Sequence, residues 1–338
     1  MKFASMSLVA SLAISLLSSD VMAQGRKPGS LLFYPVHRSG ATYFTVVNVT
    51  NTNLTPKTLT SFGGSTNVHF NYVNVTRNPA NAFRPLACTV FDRLEFLTPA
   101  DTISVMTGCH NATTAGGQEG YLVVYAEDPS LFSTAWSHND LIGSELVINA
   151  SGAAYALNAV PFSSPVAFHK ATDLNNNGHR DMNGTEYSEA PDVLYVDSFV
   201  ALAGSQLCLT NLTGADSDIN SVYFSVWNDN EYPLSATLDF NCWFDQPLTA
   251  VSPLFAEAFL KSLPNDPSEL DINCDGRNDL EVGWAAIQSV GVRTVGGLRI
   301  ASDGALLGSI TAGPSTLLNG GHLLWESVRT QGNGGWGH

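Results

Sequence analysis

The sequence predicts an all-β chain, built as two tandem antiparallel β-sandwiches of an Ig-like or jelly-roll-like kind. Three observations predict it. Short runs of Val, Phe, Tyr, Thr and Leu alternate with polar residues and break at Gly, Pro or Asn about every ten residues, as in Tyr43 to Val49, Val68 to Val73, Thr89 to Leu97 and Tyr121 to Ala126, which is strand periodicity with turn punctuation. Only 13% of the 338 residues are charged, against roughly 25% in an average soluble domain, while Asn, Thr, Ser and Gly abound. The length exceeds the ~250 to 300 residues at which a single core stops growing, so two domains are expected.

The first residues carry a basic Lys2, an apolar run from Leu8 to Leu17 and a small-residue exit at Val21-Met-Ala23, the features of a secretory signal peptide over 1–23. Secreted, extracellular or periplasmic localisation is therefore expected. No later stretch approaches the ~20 apolar residues of a membrane span, so no transmembrane segment is expected. Fifteen basic against 30 acidic residues give a net charge of -15, which makes nucleic acid a poor partner.

Four landmarks recur in the same order and predict an internal duplication. Asn48-Val-Thr50 answers Asn211-Leu-Thr213, and Cys88-x-x-Phe91-Asp92 answers Cys242-x-Phe244-Asp245. Cys109 ahead of Gly120-Tyr121 answers Cys274 ahead of Gly283-Trp284, and Gly152-Ala153 answers Gly304-Ala305. The expected organisation is one sandwich over 27–164, a linker over 165–190, a second sandwich over 191–326, and a flexible Gly-rich tail over 327–338, too rich in glycine to order itself cheaply. One helix is expected, from Ser252 to Leu263, with Pro253 near its start, Leu254, Phe255, Phe259 and Leu263 at helical spacing, and Pro264 ending it.

Five cysteines in an exported chain point to disulfides. If the repeat holds, one bridge occurs per half, Cys88 to Cys109 and Cys242 to Cys274, leaving Cys208 over. The rival pairing is Cys208 to Cys242.

The most specific chemistry lies in two loops, Asp173-Leu-Asn175-Asn-Asn177-Gly178-His-Arg-Asp181 and Asp271-Ile-Asn273-Cys-Asp275-Gly276-Arg-Asn-Asp279. Oxygen-bearing side chains at positions one, three, five and nine, a carbonyl at seven and a turning Gly at six make an oxygen cage for calcium, which takes six to eight hard ligands. The loops resemble those of thrombospondin type 3 repeats and dockerins over about a dozen residues each. They depart from that pattern at position twelve, where Gly184 and Val282 replace the acidic ligand. Glu186 (or Glu189) in the first loop and Glu281 in the second would stand in. Dockerins keep their two loops close together, so a cohesin-docking role is not expected. The competing reading is an Asn/Asp/Gly turn that bonds its own backbone.

Enzyme signatures are missing: there is no His-Glu-x-x-His, no Gly-x-Ser-x-Gly and no phosphate-cradling glycine loop. The eight histidines are scattered singly. Asp92 and Glu95, three apart on a strand, would face opposite ways. Trp227, Trp243, Trp284 and Trp325 lie in strand-like runs and are expected in the core. Trp136, in a polar loop, is a candidate ligand contact, as is the cluster of Trp227 with Tyr232 at a strand end. Seven Asn-x-Ser/Thr sequons carry weight only in a glycosylating host.

The stretch Glu119-Gly-Tyr-Leu-Val-Val-Tyr-Ala, with His138-Asn-Asp-Leu-Ile-Gly143 and Ala153-Ala-Tyr-Ala-Leu-Asn158, resembles a group of uncharacterised secreted bacterial β-proteins, a resemblance that implies no activity. The functional expectation is a secreted, non-catalytic, calcium-stabilised structural or adhesive surface protein. Its partners would be a cell-surface component, a polysaccharide or another copy of itself. The alternatives are a carbohydrate-binding module or lectin and, behind it, a secreted hydrolase with a dispersed site.

Overall fold

The structure is a computed structural model that describes residues 27–336 apart from 112, 114–116, 132, 192, 202–204, 213–218, 264–269, 272, 278, 296–297, 302–303, 313–318, 324 and 326–334. The predicted signal segment 1–23 lies outside the described residues, as does most of the tail. The chain is all-β, with four principal antiparallel sheets.

The first half contributes β1 (Leu31–Arg38), β2 (Tyr43–Asn51), β3 (Thr66–Thr76), β4 (Ala87–Leu97), β5 (Thr102–Met106), β6 (Glu119–Glu127), β7 (Leu141–Asn149), β8 (Ala154–Asn158) and β9 (Val160–Phe162), with one helical turn, α1 (Thr107–His110), after β5. They form two sheets, β4-β3-β6-β1-β9 and β5-β2-β7-β8. The connecting segment carries β10 (Arg180–Asp181). The second half contributes β11 (Val193–Val200), β12 (Gln206–Asn211), β13 (Ile219–Asn228), β14 (Pro233–Asn241), β15 (Trp243–Pro247), β16 (Val282–Ser289), a hairpin of β17 (Val292–Val295) and β18 (Leu298–Ala301), then β19 (Leu306–Ala312) and β20 (Asn319–His322). Its two principal sheets are β11-β16-β13-β14 and β15-β12-β19-β20. Near the C-terminus β21 (Gly335–Trp336) pairs with β10, so the tail, expected to be flexible, places two residues in a ladder.

The strand orders coincide. Matching β1 to β8 with β11 to β16, β19 and β20 turns each sheet of the first half into one of the second, apart from the added β9. Registers agree residue by residue. His37 pairs with Gly120 beyond a bulge after Tyr34, and Phe199 pairs with Gly283 beyond a bulge after Val196. Asn51 faces Leu141 and takes the carbonyl of Asp101 at 2.9 Å, as Asn211 faces Leu306 and takes that of Cys242 at 2.9 Å.

These registers correct the landmarks. Only Gly120-Tyr121 and Gly283-Trp284 are equivalent, and there geometry demands glycine. A Cβ on Gly120 would meet the Val73 carbonyl oxygen at 1.9 Å, and one on Gly283 that of Trp227 at 2.4 Å. Asn211 matches Asn51 rather than Asn48, and Cys242 matches Asp101 rather than Cys88.

Three cores result. Leu32, Tyr34, Phe70 and Leu122 meet Val47, Val49 and Leu141 between the sheets of the first half. Phe224, Phe240, Phe244 and Ile287 fill the second half. The third core lies between the halves, where Phe33, Val73, Val75, Tyr121 and Val123, facing outward from their own sheet, meet Cys208, Trp243 and Leu307. Met182, Tyr187 and Ala190 of the expected linker are buried with them. The β1 bulge frees the carbonyl of Pro35 to accept from Trp243 Nε1 at 3.1 Å and Cys208 Sγ at 3.4 Å. Beside it, buried Asp245 accepts from Arg38 Nη2 at 2.6 Å and Arg77 Nη2 at 3.1 Å, and Arg77 also pairs with Glu119. Burial raises the Asp245 carboxyl and the two guanidinium groups oppose that shift.

The one disulfide among the described residues joins Cys88 to Cys242, with Cα atoms 6.6 Å apart, and so crosses between the halves. This overturns both predicted bridges and the rival. Cys88 points from β4 into the third core, whereas Cys109 sits exposed on α1, Cys274 is exposed in its loop, and Cys208 is buried as a thiol. The expected continuous helix is also corrected, to α2 (Leu248–Val251), a 3-10 turn (Pro253–Phe255) and α3 (Glu257–Leu260). Pro253 biases the preceding residue away from helical geometry, and Ser252 is extended at φ -160° while its side chain accepts from Leu254 N. Leu254, Phe255 and Leu260 still anchor the segment in the second core.

Candidate functional site

The first candidate loop closes on itself through its side chains. Asp173 accepts from Asn177 N at 3.1 Å and from Gly178 N at 2.9 Å. Asn175 Oδ1 accepts from Asn177 N at 3.0 Å, and Asn177 Oδ1 from His179 N at 2.7 Å. Both carboxamides donate to Asp181 Oδ2, at 2.7 Å from Asn175 and 3.2 Å from Asn177. Glu186, buried, completes the ring by accepting from Leu174 N at 2.7 Å and Asp181 N at 3.2 Å. Gly178 turns at φ 78°, a region L side chains avoid. Burial raises the Glu186 carboxyl, and its backbone hydrogen bonds pull the other way. All five predicted residues, Asp173, Asn175, Asn177, Asp181 and Glu186, are thus brought together.

The second loop repeats the conformation. Asp271 accepts from Asp275 N at 3.3 Å and Gly276 N at 2.8 Å, Asn273 Oδ1 from Asp275 N at 2.9 Å, and Asp275 Oδ1 from Arg277 N at 2.9 Å. Gly276 stands at φ 82°, and Asn176 and Cys274 share a left-handed fourth position at φ 54° and 60°. These backbone bonds hold the Asp271 carboxyl below its usual range. Asp279 bonds Leu270 through its backbone, and Glu281 is buried with its amide donating to Glu257 at 3.1 Å. The bonds of this loop gather Asp271, Asn273 and Asp275 around the turn at Gly276.

The donor chemistry fits a hard cation better in the first loop. Three carboxylates, two carboxamide oxygens and a backbone carbonyl are the oxygen ligands calcium takes, and Glu186 stands where the missing twelfth-position acid would act. Among the described residues no three His, Cys, Asp or Glu side chains are grouped as a metal site by themselves, so the carboxamides would be needed.

The aromatic candidates separate. Trp136 is 4% exposed, its Nε1 donates to Thr66 Oγ1 at 2.8 Å, and His169 stacks on it at 3.8 Å, so its place in a polar loop misled and it is not a surface contact. Trp243 is core, as expected. Trp284 and Trp325 are not, at 40% and 38% exposed. Trp227 lies half-buried against Trp284, ring centroids 4.1 Å apart, on the outer face of β11-β16-β13-β14, with Tyr223 exposed on the same face and Tyr232 exposed just before β14.

Single-residue scanning missed a histidine pair. His138 Nδ1 and His169 Nε2 lie 3.2 Å apart, and burial lowers His138 to about 4. No spacing in the sequence announces it, because the two belong to separate loops. Asp92 and Glu95 do face apart, toward His69 and His110 respectively.

The fold and loops define an all-β protein of stacked sandwich-type sheets bearing two Asx-rich turns. No protein-family profile, characterised protein or solved structure matches the chain.

Proposed function

We propose that the protein is an exported, non-catalytic surface protein, structural or adhesive, whose frame is stabilised by calcium. What carries the reading is that two loops far apart in sequence fold into one geometry, and that the first ties buried Glu186 into the segment joining the halves. The inter-half disulfide favours an oxidising compartment. No helix among the described residues is long and apolar enough to cross a membrane. The partner would be a cell-surface component, a polysaccharide or a second copy.

Heat denaturation in calcium and in EDTA tests the metal. A ligand bound only by the folded state at about 10 to 100 times its Kd adds roughly 1.4 to 2.7 kcal/mol, so calcium raises Tm. Asp173→Ala removes more of that gain than Asp271→Ala, and an unchanged Tm ends the calcium reading.

A carbohydrate-binding function is favoured by one observation, the Trp227 and Trp284 pair on an open sheet face. Sugar rings pack on such exposed aromatic surfaces. Pull-down on insoluble polysaccharides should then weaken in Trp227→Ala, and equal retention of variant and wild type removes this reading.

A further inference from the structure

Beside the first loop lies a groove of about 520 Å³. Its floor is the outer face of β3, β4 and β6, where His69, Asn71, Asp92 and Tyr125 stand in adjoining register, and Arg180 and Asp173 form one wall. Two nitrogen atoms in this groove are buried with no hydrogen-bond partner, Asn71 Nδ2 and Arg180 Nε. Asn71 lies near the Tyr125 hydroxyl without a bond of adequate geometry. Buried donors left unpaired are costly, and they are expected where a ligand supplies the missing oxygen.

The charges around these two atoms differ. Arg180 donates to Gly178 O and to Tyr125 Oη, both at 2.6 Å, with its guanidinium 4.2 Å over the Tyr125 ring. Carboxylates pair with Arg38, Arg77 and Arg84, but no carboxylate of the described residues pairs with Arg180, in a chain with twice as many acidic as basic residues. His69 stacks on Tyr125 at 5.1 Å and turns Nδ1 to Glu127 Oε1 at 3.3 Å. Its Nε2 lies 3.6 Å from Asp92 Oδ1, so both ring nitrogens face carboxylates. The groove therefore offers two donors, one backed by an unpaired positive charge, beside the Asp92 carboxylate as acceptor.

We propose that this groove binds an acidic saccharide, its carboxylate on Arg180 and Asn71 and a ring hydroxyl donating to Asp92. A uronic acid carries both groups on one ring, and about 520 Å³ lies within the range of small-ligand sites. The proposal supplies the ligand class for the adhesive reading and rests on that reading only for its setting, since neither Asn71 nor Arg180 is a proposed calcium ligand.

The test is calorimetric titration of the full chain with digalacturonate, with neutral lactose and an acidic peptide bearing a free C-terminus as comparisons. Expected is saturable digalacturonate binding that falls about tenfold or more in both Arg180→Met and Asn71→Leu, the loss typical of one charge-assisted hydrogen bond. Lactose should bind at least as weakly as those variants do. Asn71→Leu removes an unsatisfied amide, so its Tm holds or rises, and lost binding there is not lost folding. Absence of saturable binding, equal affinity for lactose, tighter binding of the peptide, or unchanged affinity in the two variants would each overturn the proposal. The calcium melt is a separate reading on the same protein, so failure of the groove and failure of the loops are told apart.

Discussion

The sheet β4-β3-β6-β1 and its counterpart β14-β13-β16-β11 have the same strand order and the same bulge, yet they use their outer faces in opposite ways. In the first, β1, β3 and β6 are buried almost residue after residue, because the second half and the connecting segment close over them. In the second, β13 alternates buried and open positions, and where the first sheet has Val73 and Tyr121 the second shows Trp227 and Trp284 to solvent. Shared topology therefore does not decide which faces are dry. The neighbouring layer does, and the sequence answers with continuous apolar runs in one sheet and alternation in the other.

The largest test of that contrast is the bridge across the covered face. Replacing Cys88 and Cys242 by Ser frees a closed loop of 154 residues, worth ~5 kcal/mol at most in the chain-entropy account. Urea denaturation should show the loss, and reduction of the wild type should reproduce it. A midpoint indifferent to reduction would break the link between the halves.

Tryptophans on the two faces come next. Trp243→Ala opens the third core and gives up the bond to Pro35, costing roughly 3 to 5 kcal/mol, whereas Trp284→Ala on the open face should stay within about 1 kcal/mol. Similar costs for both would mean that the open face is covered in solution.

A smaller effect separates an equivalent pair inside the two sandwiches. Burial lowers His37 to about 4, from an ordinary 6.5, whereas Phe199 holds the same position without a charge to exclude. A depressed histidine leaves the unfolded chain binding more protons, so its contribution is intact above pH 6.5 and is lost as pH falls toward 4. The loss reaches about 3 kcal/mol for a shift of this size. His37→Phe should flatten the fall in denaturation midpoint over that window, leaving the part due to His138, and an unchanged slope would show that His37 is not the group titrating.

Much of this was legible in advance. Alternation and turn residues marked the strands, and order along the chain marked the likeness of the halves. The particular landmarks were less trustworthy than their order. Gly120 and Gly283 agree because a carbonyl approaches too closely for any side chain, a constraint that both halves must meet. Asn48 and Cys88 are under no such constraint, and their resemblance to Asn211 and Cys242 is not positional. The bridge was misread because one bridge per half was assumed. Tyr121 to Ala126, read from the sequence as an alternating strand, is continuously apolar like Leu31 to Tyr34, and the structure buries both on two faces. The Asx-rich loops were legible because their oxygen-bearing side chains fall within nine residues of sequence. The groove was not, because His69, Asn71 and Arg180 meet only after the strands pair and the connecting segment returns over them.

The bridge also orders events in time. Cys88 leaves the ribosome long before Cys242, and at ~5 to 20 residues per second the 154 intervening residues take roughly 8 to 30 s. Throughout that interval Cys109 is the nearest thiol. Oxidation that runs ahead of synthesis would trap a local Cys88 to Cys109 loop, which must be reshuffled before the halves can close on each other. In an exported chain, early oxidant would therefore delay closure of the covered sheet, and an isomerase would shorten the delay.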